Sequence, residues 1–484
     1  MSLGTRAISG IKWSGVAQVV QLLTRVGTIV VLSRLLAPRE FGIMSMAFVL
    51  TGFVDLFKEL GTGSALIQRK NPTNRLLSTT FWTNVCFGVF AAAGVIAIAP
   101  LAADFYHNAR LVPVLQLLSV SFLLSSLSIV QQALLAKQLK FKKLAIIQSI
   151  AALTGSAVAI ALAAAGAGVF SLVAQSISAS GISTVVLWLS SSWRPTRDFS
   201  LDDLRSIWRF SANVVGFNVV NYLARNVDYI LIGRYLGAQS LGYYTLAYNL
   251  LLFPLQNLTY VVNRVTFPAY ASIQDDNARL ANAYMRVVRA TATLSFPIML
   301  GLLATCDVFV RTVYGERWSP AIPIVAILAP VGLFQSFVAL NGSIYQSKGR
   351  ADLQFRIGII ASTVVIGSFF IGLRWGILGI AAAYAVTTFC VLGYPLMVIS
   401  LSLIDLRVRD FLNAIRRPFA ASLCMLAGLG AIRLAFPDLV FGSGMALPLL
   451  VLVGVVLYFA ATFAVNRSQL REMWLLVKPK PAAI

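Results

Sequence analysis

Apolar segments of about twenty residues recur along the entire chain, and each is long enough to cross the ~30 Å hydrocarbon core of a bilayer as a helix. This feature constrains the fold more than any other. Of the 484 residues, 58% are hydrophobic and only 12% are charged, whereas soluble domains average about 25% charged residues. The sequence therefore predicts an all-α polytopic membrane protein.

We place fourteen transmembrane helices in the sequence. They span 14–36, 41–63, 78–101, 113–135, 144–166, 169–190, 211–233, 240–266, 290–312, 320–345, 354–374, 376–400, 415–436 and 444–466. Of the 39 lysines and arginines, 27 fall on one side of the predicted membrane, 8 on the other and 4 within the helices. Cytoplasmic loops carry an excess of basic residues, so we predict that both the N and C termini are cytoplasmic. The net charge of +22 then reflects topology and headgroup contact, and no nucleic-acid partner is expected.

A repeat at an offset of 200 residues relates the two halves of the chain. The segment QVVQLLTRVGT begins at Gln18 and NVVNYLARNVD begins at Asn218. LSRLLAPREFGIMSMA (32–47) likewise aligns with IGRYLGAQSLGYYTLA (232–247), which pairs Gly42 with Gly242. Each repeat holds six predicted helices and so runs in the same direction, as in transporters whose substrate site lies between two lobes. We predict an N-lobe (1–190), a cytoplasmic linker (191–210), a C-lobe (211–400), and two further helices with a cytoplasmic tail (401–484).

Polar residues line one face of the first predicted helix and the equivalent face of the seventh. Gln18, Gln21 and Arg25 follow a spacing of three and four residues, which places them on one helix face. The seventh helix carries the same pattern at Asn218, Asn221 and Arg225. An arginine at the membrane centre costs about 2.5–3.5 kcal/mol, so it must face protein or a wet cavity. The pattern predicts two pseudo-symmetric six-helix lobes around a central cationic cavity.

The eighth predicted helix adds polar residues to this proposed cavity. They are Asn249, Gln256, Tyr260 and Asn263 on one face, with Arg264 beside them. An arginine fork suits phosphate, and amides suit sugar hydroxyls, which favours an anionic, sugar-bearing substrate. Two alternatives stay open: amides also hold membrane helices together, and Asp228 could neutralise Arg225 one turn away. Arg34 and Arg234, near the helix ends, could simply snorkel or cap.

Acidic residues are rare within the predicted helices and give the candidates for coupling or gating. Asp55, Lys58 and Glu59 lie together near the cytoplasmic end of the second helix. They form either an internally paired cluster or a gate with a titratable coupling group. Asp228 is the fourth candidate of this kind, and a proton or sodium ion is the expected coupling ion.

The chain offers few residues that could act in catalysis. It holds one histidine, His107, in a short loop, and four cysteines, all within predicted helices. We find no phosphate-binding GxxxxGK[ST] loop and no strand–GxGxxG–helix pattern. We therefore expect no catalytic residue, no metal site, no cofactor and no enzyme activity.

The motif LSRLLAPREFGIMSMA, after an amphipathic first helix, resembles the polysaccharide transporter branch of the multidrug/oligosaccharidyl-lipid/polysaccharide (MOP) exporter superfamily. These are the Wzx-type flippases, and the resemblance covers nearly the whole chain. It implies export of undecaprenyl-diphosphate-linked oligosaccharide repeat units, of O-antigen or exopolysaccharide type, across the bacterial inner membrane. It also implies alternating access coupled to an ion gradient, with Arg25 and Arg225 meeting the diphosphate or acidic sugars. The implied partners are the polyprenyl-diphosphate-linked glycan, membrane lipids, and polysaccharide polymerase or assembly proteins.

Three alternatives to this function remain at the level of sequence. A lipid II flippase would also have fourteen helices and a cationic cavity. A drug or cation antiporter of the same superfamily would usually have twelve helices and rely on buried carboxylates. A membrane-embedded polysaccharide polymerase would typically carry a large periplasmic loop, whereas all predicted loops here are short.

Overall fold

The computed structural model describes residues 3–58, 66, 72–201, 221–254, 260–437 and 445–465. The chain divides into two compact units, Met1–Gly242 and Tyr243–Ile484. The lobes predicted from the repeat are a different division of the chain and stay a prediction.

The described part of the first unit is helical. Its helices are α1 (Leu3–Leu35), α2 (Pro38–Lys58), α3 (Asn74–Tyr106), α4 (Leu111–Ser126), α5 (Ile129–Lys137), α6 (Phe141–Ala164), α7 (Val169–Ser190), α8 (221–231) with a π-helical turn at Ile232–Leu236, and the start of α9 (Gly237–Pro254). Helix α1 lies along α6, α6 packs on α7, and α3 packs on α4. Gly155 lets α6 approach α7 closely, because a Cβ there would lie 2.9 Å from the Gln175 carbonyl oxygen.

The second unit continues from α9 and is also helical. Its helices are α10 (Tyr260–Ala271), α11 (Asn277–Phe309), α12 (Ile322–Ser347), α13 (Ala351–Gly372), α14 (Gly376–Val386), α15 (Tyr394–Ser402), α16 (Val408–Ala435) and α17 (Ala446–Val465). Short turns of other helix types link them at Val310–Tyr314, Glu316–Ala321, Leu373–Trp375 and Thr387–Gly393.

Ten helices of the described residues are long and apolar enough to cross a membrane, or eleven if a bent pair forms one span. The prediction of an all-α, multi-pass membrane protein is therefore confirmed. The boundaries differ in places from those expected. Helix α1 begins at Leu3 rather than at 14.

The helix predicted at 113–135 is not continuous, which corrects the expectation. It is divided into α4 and α5, with a bend of 41° between them. Two carbonyl oxygens near the break accept hydrogen bonds from α7: the Thr184 hydroxyl donates to Leu124 at 2.7 Å and the Trp188 indole donates to Leu127 at 2.8 Å. These side chains satisfy backbone groups that a break would otherwise leave unpaired in lipid.

The core of the second unit shows why α11 anchors it. Leu280, Tyr284 and Val288 recur every four residues and are fully buried against α12, α15 and α16. Further along α11, the apolar side chains pack on α16 and α17 instead. An ion pair between Asp307 and Arg433 also joins α11 to α16. The two helices predicted as additions to the repeat are thus packed on α11.

Candidate functional site

Within the repeat motif at 32–47, the structure shows a structural role for a carboxylate, that of Glu40, which the sequence analysis did not select. Glu40, near the start of α2, accepts a hydrogen bond from the Val169 backbone N–H at 2.9 Å and pairs with Arg110 at 3.4 Å. Its side chain is 13% exposed. The residue before Val169 is Gly168, which has φ +59° and no side chain to cap α7. Glu40 therefore supplies the cap and the negative charge at the N-terminus of α7.

We predict that Glu40→Ala lowers the free energy of unfolding of the protein by about 1–2 kcal/mol, because α7 loses its cap and Arg110 loses its partner. The measurement is thermal unfolding of the purified protein in detergent. Glu316→Ala is the matched control, since its pair with Arg311 is exposed on both sides and such pairs contribute about 0–1 kcal/mol. Equal effects of the two variants would contradict the capping role.

Arg234 caps the C-terminal end of α3. Its guanidinium donates to the Phe105 carbonyl oxygen at 2.6 Å and lies 5.3 Å from the centre of the Phe105 ring. It also contacts the imidazole of His107, the C-cap residue that follows α3. A cation at a helix C-terminus satisfies unpaired carbonyls and opposes the helix dipole. Of the two roles open to Arg234, capping is the one observed.

Two glycines at equivalent repeat positions make a reciprocal helix crossing in the first unit. A Cβ on Gly42 of α2 would overlap the carbonyl oxygen of Ala238, in the first turn of α9. A Cβ on Gly242 would overlap the carbonyl oxygen of Pro38, in the first turn of α2. Since 38 and 42 become 238 and 242 at the repeat offset, each contact is the image of the other. We name these four residues the glycine crossing.

The side chain of Tyr222 joins α8 to α2. The Tyr222 hydroxyl lies 3.1 Å from the Phe48 carbonyl oxygen and 3.0 Å from that of Val49. Gly52 makes room for it, because a Cβ there would overlap the hydroxyl. The Phe53 ring lies 6.4 Å from the tyrosine ring. Asp55 is on the next turn of α2 and has an exposed side chain.

Arg25 and Arg225, the two arginines predicted to line a cavity, both have exposed side chains. Among the described residues, neither guanidinium lies within 4.0 Å of a carboxylate, and this includes Asp228. Asp228 is instead 2% exposed, and its carboxylate accepts the backbone N–H of Tyr229 at 2.9 Å. Local neutralisation of Arg225 by Asp228 is therefore not observed.

The predicted amides are placed in different surroundings. Gln21 of α1 donates to the Gln148 side chain of α6 at 3.3 Å, so it joins two helices. Gln18, Asn221 and Asn249 are exposed. Asn218, Gln256 and Glu59 lie outside the described residues, as do the side chains of Lys58, Tyr260, Asn263 and Arg264. The central cavity and its full set of lining residues stay a prediction.

Sequence reasoning missed three elements of this region, and only one had a clear signal. The glycine crossing could have been found from the paired glycines of the repeat. Glu40 and Tyr222 could not, because their partners are distant in sequence: Val169 and Phe48 respectively.

Comparison with known proteins places the chain among polysaccharide biosynthesis proteins. A family model described as polysaccharide biosynthesis protein matches residues 31–323. The lipopolysaccharide biosynthesis protein WzxC of Escherichia coli (strain K12) is 30% identical over 374 residues, which covers 77% of this chain and 76% of that protein. The teichuronic acid biosynthesis protein TuaB of Bacillus subtilis (strain 168) is 31% identical over 357 residues, which covers 73% of this chain and 74% of that protein.

Solved structures with a similar fold are transporters. The lipid II flippase MurJ, in an inward closed conformation, matches with a TM-score of 0.74 at 16% identity, covering 94% of this chain and 99% of that chain. An inward-facing multidrug resistance MATE family transporter of the MOP superfamily matches with a TM-score of 0.57 at 16% identity, covering 85% of this chain and 96% of that chain. These matches show the fold, and the sequence matches confirm the resemblance noted from the repeat motif. The chain belongs to the polysaccharide biosynthesis protein family.

Proposed function

We propose that this protein is a flippase that exports polyprenyl-diphosphate-linked oligosaccharide repeat units across the bacterial inner membrane. The observation that carries the proposal is its relation to the lipopolysaccharide and teichuronic acid biosynthesis proteins along about three quarters of the chain. A third relative, 28% identical over 302 residues, is the succinoglycan biosynthesis transport protein ExoT of Rhizobium meliloti (strain 1021). Polysaccharide precursors assembled on a lipid carrier must cross the membrane before polymerisation outside, and a transporter of this fold suits that step.

The proposed transport is a physical movement and not a chemical reaction. The protein would bind the substrate at one face of the membrane and release it unchanged at the other. Because no bond is made or broken, we propose that the protein is not an enzyme. Two lobes would alternate in access, with both termini cytoplasmic and a proton or sodium gradient as the driving force. The proposed substrate contacts are Arg25 and Arg225, whose guanidinium groups are exposed and have no carboxylate partner within the described part of the chain, which suits a diphosphate. Polysaccharide polymerase or assembly proteins would receive the exported unit.

The test is leaflet exchange of a fluorescent undecaprenyl-diphosphate-linked oligosaccharide in vesicles that contain the purified protein. We expect exchange well above protein-free vesicles, measured as the fraction of label reached by a membrane-impermeant quencher. Imposing a proton or a sodium gradient should change the rate, and the effective ion identifies the coupling. Exchange equal to that of protein-free vesicles would refute the proposal.

A second candidate is a lipid II flippase, which the fold match to MurJ favours. The same vesicles with fluorescent lipid II separate the two functions. We expect slower exchange of lipid II than of the oligosaccharide lipid. Faster exchange of lipid II would assign the second function instead.

A further inference from the structure

The start of α11 carries a basic face that the proposed transport path does not use. Arg279, Asn282, Arg286 and Arg289 follow a spacing of three, four and three residues, which places them on one side of the helix. Together with Asp276 and Ala278 they line a groove of about 530 Å³. We call this the arginine groove. It lies on the side of the membrane predicted to be cytoplasmic.

Helix α11, which carries the groove residues, packs against the core of the second unit through its opposite face. The opposite face of α11 is buried, with Leu280, Tyr284 and Val288 fully inside the core of the second unit. The Asp276 side chain accepts the backbone N–H of Arg279 at 2.9 Å and so caps the helix. A rigid helix lets side chains bind a ligand at a lower entropy cost.

The loop before α11 is also fixed. The Lys348 ammonium donates to the Gln274 carbonyl oxygen and to the Asn277 side chain, and Asn277 donates to Asp405. These contacts connect the start of α11 to two other loops of the second unit. The start of α11, which carries the groove residues, is therefore fixed in place.

The charge of the groove suits a doubly charged phosphate group. Three arginines face one carboxylate, that of Asp276, which already caps the helix. Arg279 and Arg286 are exposed, and neither lies within ion-pair distance of a carboxylate among the described residues. Arginine binds phosphate through two parallel hydrogen bonds, which lysine cannot do.

The length of the groove indicates whether its ligand is an ordinary phospholipid or a longer molecule. The apolar part of α11 starts just after Arg289, and at 1.5 Å per residue Arg279 lies about 15 Å from it along the helix axis, a distance close to the depth when the helix lies along the membrane normal. A headgroup layer is only about 5–8 Å deep. Phospholipid headgroups can therefore reach Arg286 and Arg289 but not Arg279. A diphosphate followed by sugars can extend along the entire groove.

We propose that the arginine groove is a cytoplasmic reception site for the lipid-linked substrate, separate from the central cavity. The diphosphate binds at Arg286 and Arg289, and the glycan extends past Asn282 towards Arg279, which pairs with an acidic sugar. This inference rests on the proposed flippase function and adds a second, outer binding site to it.

The experiment reads binding at the groove itself. In an Asn282→Cys variant in nanodiscs, the rate of alkylation by a charged maleimide is followed by mass spectrometry of the peptide that contains position 282. We expect a saturating undecaprenyl-diphosphate-linked oligosaccharide that carries an acidic sugar to slow alkylation about 10-fold, and phosphatidylglycerol at the same concentration to slow it less than 2-fold. Adding Arg25→Gln and Arg225→Gln should leave this protection intact, since the groove is a separate site.

Arginine variants complete the test. Adding Arg279→Gln and Arg286→Gln should remove the protection, while the matched pair Arg409→Gln and Arg416→Gln should keep it, because these two exposed arginines of α16 do not line the groove. Protection that survives loss of Arg279 and Arg286 overturns the inference, and equal protection by phosphatidylglycerol makes the groove a general headgroup site. Leaflet exchange by the native protein is measured separately, so failure of the flippase proposal is distinguishable from failure of the groove.

Discussion

Replacing Arg25 and Arg225 together by glutamine should abolish transport of the lipid-linked oligosaccharide while the protein still inserts and folds. Both guanidinium groups are exposed and have no carboxylate partner among the described residues, so little native structure depends on their charge. A hydrogen bond to a charged group contributes about 1.5–3 kcal/mol, which corresponds to roughly 10–100-fold for each arginine. The measurement is the initial rate of leaflet exchange in vesicles.

Two sets of variants test the reason for this loss. Arg25→Lys with Arg225→Lys keeps the charge but not the planar fork, so we expect transport between that of the native protein and that of the glutamine pair. Arg317→Gln with Arg374→Gln removes the same charge from exposed positions in short turns and should transport normally. Normal transport by the Arg25→Gln/Arg225→Gln protein would exclude both residues as substrate contacts.

Most of the fold could be predicted because membrane insertion depends on local properties. A helix that crosses lipid must be apolar over about twenty residues, and that requirement is visible in any single segment. The break between α4 and α5 was not visible, because the groups that satisfy it, Thr184 and Trp188, are on α7. A break inside an apolar run depends on a partner that the run itself does not contain.

The candidate site was also hard to predict, because it too depends on contacts between helices that are distant in the sequence. Helical spacing groups Gln18, Gln21 and Arg25 on one face of α1, but it does not show what that face contacts. Gln21 contacts Gln148 of α6, so the open alternative of amides joining helices holds for this residue. Arg25, one turn further, has no such contact among the described residues. Periodicity therefore identifies a face, and only tertiary packing shows which of its residues contact other helices.

Replacing one or both glycines of the glycine crossing by alanine should cause a large loss of transport. Gly42→Ala or Gly242→Ala places a Cβ where the Ala238 or Pro38 carbonyl oxygen lies. Alanine gains up to about 1 kcal/mol over glycine within a helix, but overpacking costs about 1–3 kcal/mol. The overlapping atom belongs to the backbone and cannot rotate away, so the cost should exceed the gain. We expect transport to fall at least 10-fold in the double variant, because the two helices can no longer meet at these turns.

Gly94→Ala is the matched control, because a Cβ at this position of α3 meets nothing within 4 Å. It should transport normally and unfold at the same or a slightly higher temperature. The reciprocal geometry also predicts how the two changes combine. Either alanine alone separates the same pair of helix ends, so the second should add little to the first, and the coupling should be about as large as a single effect. Fully additive losses would mean that the two glycines act at independent places, and native transport by the double variant would mean that the crossing has no part in the transport cycle.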